Sequence, residues 1–439
     1  MLGLCLLPLP VIAEESKVIR CDLESCIGVA FSNHPILKTG EARQSAAQVL
    51  LKVNEAERMP SLDLEGSTGY FSGESITPFD VVGGITEKGI RQRHSSGGYY
   101  QATINAQIPI FKEGTLLGQA SGLVRQARFG LSKEEWENQA LRVQVALKVA
   151  EAYVQVLKNR KAVKAQEEIV VSLEGDYNLA QAKFNQNLIS ENDLLMAEVR
   201  LATGRRDISL SQLALRRSQQ ALSAAMGLDR THEIDIQDLR EFPAPLRPLE
   251  ELVALARENN SQVRAQQFKV RESEEEVKGV ESERYPALSV AAHYGVADDF
   301  DRPLNDQWVA ALQMKVPLFD FGLIRKKAAV ARARVVEEEK RLLDFKLDME
   351  QQVHEFYFHV QELEEEIELI KKQIQQTQEA LKLNQAMFQQ NLLPQSVVHD
   401  TEAALLKLQL AQSDAEYDQN LNRFELRLLS GEWNTQGQQ

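Results

Sequence analysis

Few residues in this chain have types and spacings suited to covalent chemistry. His354 and His359 lie five residues apart, a helical spacing that sends the two rings to different faces and builds no shared metal site. The chain has no glycine-rich phosphate loop, no Gly-x-Ser-x-Gly and no His-Glu-x-x-His. Seven histidines without a methionine cluster give no support for a metal-specific route. The expectation is a non-enzymatic protein with no catalytic residue, no cofactor and no resident metal. Cysteine is the one other candidate. If Asp22 caps a helix, Cys21 falls at N′ and Cys26 at N4, the two positions that a hydrophobic staple brings together. They form either a covalent staple worth at most about 2 kcal/mol or a pair of free thiols. Two cysteines alone do not make a structural zinc site.

The elements carrying these residues belong to an elongated helical protein. The 439 residues are poor in aromatics (6%), and long stretches are built from Ala, Leu, Gln, Glu, Lys and Arg, the mix of long helices in coiled-coil contact. A net charge of -14 argues against a nucleic-acid partner, which calls for a basic patch. Residues 1–13 resemble the apolar core and small-residue end of a secretory signal, with cleavage after Ala13. No later stretch reaches the ~20 apolar residues of a membrane helix.

The chain is duplicated. Offset by 226 residues, Asn33-His34-Pro35 lands on Asn259-Asn260-Ser261, and Met59-Pro60-Ser61-Leu62 on Tyr285-Pro286-Ala287-Leu288. Offset by 208, Ile108-Pro109-Ile110-Phe111 meets Val316-Pro317-Leu318-Phe319 and Gly114 meets Gly322. Offset by 204, Gln186-Asn187-Leu188 meets Gln390-Asn391-Leu392, and Gly227 meets Gly431. A shrinking offset describes two copies separated by insertions, over a period too long for a solenoid. The expected organisation is a first repeat over 14–228, a linker over 229–248, a second repeat over 249–431 and a tail over 432–439.

Each copy opens with a helical stretch, 22–58 or 249–284, ended by Pro60 or Pro286. Alternation then predicts strands at about 61–72, 98–111, 287–298 and 306–319. Tyr100, Ala102, Ile104, Ala106 and Ile108 alternate with polar residues, as do Trp308, Ala310, Leu312 and Met314 with residues that are mostly small or polar. Each strand approaches the ~10 residues that cross a bilayer on a tilt, and aromatics gather at both rims: Tyr70, Phe71, Tyr99, Tyr100, Tyr294, Phe300 and Trp308 at one, Phe111, Phe319 and Phe321 at the other. Alternation alone also fits a soluble half-buried sheet. Helical stretches of roughly 100 Å follow, over 115–185 and 323–389. In the second, Val353, Phe356, Val360, Leu363, Ile367, Ile370 and Ile374 keep heptad spacing. A short break and a helix of about 38 residues ending at Gly227 or Gly431 complete each copy. Four strands cannot close a barrel, so a membrane barrel must be assembled between subunits.

The order helix, hairpin, long helix, turn, helix, given twice, resembles the TolC-like outer-membrane efflux proteins. The matching motifs are Asn33-His34-Pro35, the barrel-to-tunnel transitions Pro60, Pro109, Pro286 and Pro317, and Asn192-Asp193-Leu194-Leu195-Met196-Ala197-Glu198. The resemblance implies a homotrimer in the outer membrane: a trimeric 12-stranded β-barrel standing in lipid on an α-helical coiled-coil tunnel in the periplasm. It implies a gated exit duct for efflux or type I secretion, docked to a periplasmic adaptor and an inner-membrane pump. The helical tip turns are then Asn187-Leu188 and Asn391-Leu392, with Asn standing where the family often has glycine. Asp400 keeps the family's acidic pore entrance, Val397 replaces its companion, and Asp193 is the first-copy counterpart at a helix start. The alternative is a secreted or periplasmic coiled-coil scaffold or adaptor without a pore.

Overall fold

The computed structural model describes residues 19–71, 97–117, 121–229, 234–239, 246–299, 305–390 and 392–432. The expected leader at 1–13, the loop 73–96, residues 300–304 with Phe300, Asn391 and the tail beyond 432 lie outside the described residues, as do the side chains of Tyr70, Phe71, Tyr99 and Tyr100.

After a short strand β1 (Ile19–Cys21), the first half runs α1 (Leu23–Asn33), α2 (Pro35–Ala56), β2 (Ser61–Phe71), β3 (Gly97–Lys112), β4 (Thr115–Leu116), α3 (Gly122–Asn185) and α4 (Glu191–Ala225). After β5 (Ile234–Ile236), the second half runs α5 (Leu249–Asn259), α6 (Ser261–Ser282), β6 (Ala287–Asp299), β7 (Asn305–Lys315), α7 (Leu323–Gln389) and α8 (Gln395–Leu429). The opening helix of each copy is two helices where one was expected. His34, held extended before Pro35, interrupts the first at ψ 123°, since a residue preceding proline is pushed out of the helical region. Asn260 makes the same break at ψ 123° without a proline.

The chain divides into two compact units. One comprises residues up to 40, 138–261 and 346 onward. Its core joins Cys26, Ile27, Ala30 and Leu37 to Val149, Tyr153 and Leu157 of α3, Leu222 and Met226 at the end of α4, and Phe424 of α8. The stretch expected as a linker contributes to this core: β5 pairs in parallel with β1, Ile19 to Ile234 through Cys21 to Ile236. Tyr153 fixes it by donating its hydroxyl to the Gln237 carbonyl at 2.6 Å, and Arg160 donates to the Ile236 carbonyl at 2.6 Å. Along α7 the heptad positions Val353, Val360, Leu363, Ile367 and Ile370 are buried while their neighbours are exposed. Leu363, Ile367 and Ile370 pack with Ala415 of α8. Burying each such side chain contributes roughly 1.5–3 kcal/mol, which is what holds two long helices in register.

The second unit comprises 41–137 and 262–345 and holds the sheet. Strand order is β2-β3-β6-β7, every pair antiparallel, with β4 off the path against β3. The helices beneath it are tied by ions: Arg125 meets Glu275 at 2.7 Å and Lys278 meets the same carboxylate at 2.7 Å. Burial pushes Glu275 up, but the hydrogen bonds from Lys278 and Arg125 outweigh it and hold the carboxyl below its ordinary value. The two hairpin exits differ. In the first, Pro109 and Phe111 remain in β3 around a bulge, and the chain turns through Glu113 and Gly114 into β4. In the second, β7 ends at Lys315, so Pro317, Leu318 and Phe319 lie outside the strand expected to contain them. The reason is pairing. A proline is tolerated in β3 where β4 and a bulge absorb the lost donor, and β7 has no such partner beyond Lys315 among the described residues.

Candidate functional site

Alternation sorts the sheet into two unlike faces. Leu64 (74% exposed), Trp308 (75%), Leu312 (66%) and Met314 (69%) stand bare on one, although side chains of this size are normally covered. The other carries Asp63, Glu65, Thr103, Asn105, Gln107, Ser289 and His293; on the central strands it is closely packed, with Thr103 7% and Ala291 5% exposed, while Asp63, Glu65 and Gln107 are exposed. Apolar outside and polar inside is the reverse of a soluble half-buried sheet and is the arrangement of a wall between lipid and water. The strands have 11, 16, 13 and 11 residues, enough to cross a bilayer on a tilt. Pro60 and Pro286 stand immediately before β2 and β6.

At the turns between long helices the backbone explains the residue types. Asn187 adopts φ +56°, the left-handed conformation that asparagine tolerates better than other side-chain-bearing residues. The Leu188 N–H donates to the Lys183 carbonyl at 2.9 Å, closing α3 with a Schellman pattern. The second copy repeats it, with Leu392 N–H donating to the Met387 carbonyl at 3.0 Å. Leu188 and Leu392 present their side chains to the outside, 67% and 65% exposed. Asp193 closes a capping box on α4: its carboxylate accepts from the Ser190 N–H at 3.1 Å, and its own N–H donates to Ser190 Oγ at 3.3 Å.

Asp400 lies exposed in the second turn of α8, on the rim of a cavity of about 640 Å³. The residue beside it carries a contact that sequence reasoning missed. His399 Nε2 lies 2.7 Å from Asp176 of α3, and its Nδ1 lies 3.2 Å from Glu402. Burial raises the Asp176 carboxyl above its ordinary value, His399 opposes this and Glu402 adds to it. The replacement at Val397, two residues before it, was the nearest available signal for His399; nothing in the sequence pointed to Asp176, 223 positions earlier. The structure therefore brings Asp400 together with His399 and Asp176, and leaves Asp193 occupied in its own helix cap. Cys21 and Cys26 approach with Cα atoms 5.9 Å apart across the N-cap, where the Asp22 side chain accepts from the Ser25 N–H. Among the described residues no cluster of three or more His, Cys, Asp or Glu is arranged to hold a metal, and no helix is long and apolar enough to cross a membrane.

No curated protein is significantly similar to the chain in sequence. Solved structures match its fold across nearly its whole length. VceC of Vibrio cholerae, an outer membrane protein, superposes with TM-score 0.76 at 19% identity, covering 93% of this chain and 96% of that one. The CmeC outer membrane channel of Campylobacter jejuni gives TM-score 0.77 at 14% identity, covering 93% and 85%. The MtrE outer membrane channel of Neisseria gonorrhoeae, in its open state, gives 0.73 at 15% identity, covering 93% and 88%. The sequence model of the outer membrane efflux protein family matches residues 26–228 and 252–432, which is both repeats. Members of this family form trimers in tripartite efflux pumps. With a lipid-facing sheet, two helical repeats and a family match spanning both, the chain belongs to the outer membrane efflux protein family, as a non-enzymatic outer-membrane channel with a periplasmic helical tunnel.

Proposed function

We propose that three copies of this chain close edge to edge, β7 of one against β2 of the next, into a 12-stranded barrel in outer-membrane lipid. The observation that carries this is the pair of open edges. Among the described residues β2 and β7 end the strand order, and their backbone groups cannot remain unpaired in hydrocarbon. The barrel leads out of a helical tunnel, and the chain acts as the passive duct of a tripartite efflux system. A periplasmic adaptor engages the turn end, where Leu188 and Leu392 are exposed, and an inner-membrane pump supplies the energy.

Asp400 lines the pore entrance, one carboxylate from each copy forming a ring that favours cations. Gating consists of the turns at Asn187 and 391 moving apart when the adaptor binds; engineered cysteines that lock these turns together should abolish export. The first test is the mass of the detergent-purified assembly together with its single-channel conductance in a planar bilayer. A species three times the chain mass with small cation-preferring currents supports the reading. A water-soluble monomer or dimer that does not insert would refute it.

A further inference from the structure

The apolar surface of the sheet does not end with the strands. Beyond β7, Leu318 is 91% and Phe321 83% exposed, and Phe319 is exposed beside them. The rings of Phe319 and Phe321 meet edge to face with centroids 4.5 Å apart. Phe321 holds φ +53°, a conformation that bulky residues rarely adopt. Asp320 keeps the turn: its carboxylate accepts from the Gly322 N–H at 2.9 Å and from the Ile324 N–H at 2.8 Å. These side chains extend the bare row of Trp308, Leu312 and Met314 at the end of the sheet from which α7 leaves. In a channel whose helices stand in the periplasm, that is the periplasmic end.

Beside them lies a cavity of about 320 Å³ that is basic, in a chain whose net charge is -14. Arg284, Arg325 and Arg332 line it against Glu281 and Asp320, and Pro317, Leu318 and Phe319 form its apolar side. Arg325 and Arg332 stand two turns apart on one face of α7, with the buried Ala328 between them. Ion pairs tie α7 to α6 and the residues that follow it. Lys327 meets Glu283 at 2.8 Å, Arg334 meets Glu276 at 2.7 Å, and Arg332 and Arg284 share Glu281. Arg325 takes no part in them and, among the described residues, makes no hydrogen bond or ion pair. Three guanidiniums against two carboxylates leave one positive charge in excess, in a cavity partly walled by hydrocarbon.

We propose that this cavity binds the phosphate of an anionic phospholipid from the periplasmic leaflet, with the acyl chains lying on Leu318, Phe319 and Phe321. The planar fork of arginine takes two phosphate oxygens at once, and basic pockets at the membrane boundary hold lipid headgroups. Charge and position select the same occupant. The unpaired guanidinium of Arg325 calls for an anion, and the apolar side chains beside it are continuous with the lipid-facing row of the sheet. The bound lipid anchors the foot of the sheet at the level of the headgroups. The site requires only that the sheet stands in lipid, whatever number of copies closes it, and it is separate from the Asp400 entrance.

The test is native mass spectrometry of the detergent-purified protein titrated with phosphatidylglycerol or with zwitterionic phosphatidylcholine. The intact protein should prefer phosphatidylglycerol by about fivefold or more, the effect of one unbalanced cation on an anionic headgroup. Arg325→Gln breaks no contact between α6 and α7, and should weaken phosphatidylglycerol binding by about fivefold, to the phosphatidylcholine level. Leu318→Asn should weaken both lipids, because it removes an acyl-chain contact. Inorganic phosphate at the lipid's own concentration should displace neither. Equal retention of the two lipids by the intact protein, or unchanged binding by Arg325→Gln, overturns the proposal. An unaffected Leu318→Asn, or displacement by inorganic phosphate, marks a free-anion site and overturns it as well. If Arg325→Gln splits the assembly, a second copy covers the cavity and the lipid site falls. The assembly mass in the same spectra tests the three-copy reading separately: a monomer with the expected lipid preferences keeps the site and loses the trimer.

Discussion

Glu425 offers the sharpest test of the packing described above. It lies on α8 among Phe424, Leu426 and Leu428, is 8% exposed, and feels the charge of Glu151 on α3. Burial first, and Glu151 second, push its carboxyl from 4.5 up to about 7. The sign follows from proton linkage. Between those two values the unfolded chain releases a proton that the folded chain keeps, so stability falls as pH rises through the window, and the loss is complete above it. The gap between 4.5 and about 7 corresponds to roughly 3 kcal/mol at pH 8. Glu425→Gln has nearly the same shape and no charge to lose, so it should be more stable than the natural protein at pH 8 by about 1–3 kcal/mol and indistinguishable from it at pH 4.5. Unfolding entropy of about 2.1 cal/mol/K per residue converts the upper figure, over 439 residues, to a Tm increase of about 3 °C. The assay is thermal unfolding of the detergent-solubilised protein followed by circular dichroism, at matched heating rates across the pH series. A Tm difference that does not vary with pH, or a variant less stable at pH 8, would refute the argument.

Four further outcomes are expected. Gly227→Ala should destabilise by about 2 kcal/mol, read as a lower Tm, because φ is +70° and the new Cβ would stand 2.7 Å from the His34 Cα. Arg125→Ala should cost about 1–3 kcal/mol at pH 7, since it leaves the buried Glu275 with Lys278 alone. Glu275 sits below its ordinary value of 4.5, so that cost should be present at neutral pH and fade as pH falls below that value, which a pH series of Tm checks. Cys21 and Cys26 should be disulfide-bonded in the exported protein, giving an intact mass that rises by two hydrogens on reduction; replacing both with serine should cost at most about 2 kcal/mol. Asp400→Asn should lower cation preference in single-channel recordings with conductance retained; an unchanged preference would place the selective constriction elsewhere.

Much of the architecture was legible because it is written in local periodicity. Heptad spacing from Val353 onward marks a long helix over 323–389, and α7 occupies those residues, since each apolar position meets its neighbour one turn away. Gly227 and Gly431 were readable as stops for the same reason, and both adopt φ +70°. The period-two runs revealed the strands and their two faces, and the matching landmarks of the two copies revealed the duplication. What sequence left undecided depends on partners far along the chain. Cys21 and Ile236 pair across more than two hundred residues, so a stretch that reads as linker enters the core. Whether Pro109 or Pro317 belongs to a strand depends on β4, a two-residue partner with no periodicity of its own. His399 meets Asp176, and His293 meets Asn105, only because helix packing in one unit and strand register in the other bring them together. Sequence determined the elements, because helices and strands arise from neighbours. Tertiary structure decided which charges face one another, because packing and register are set by contacts that no local spacing encodes.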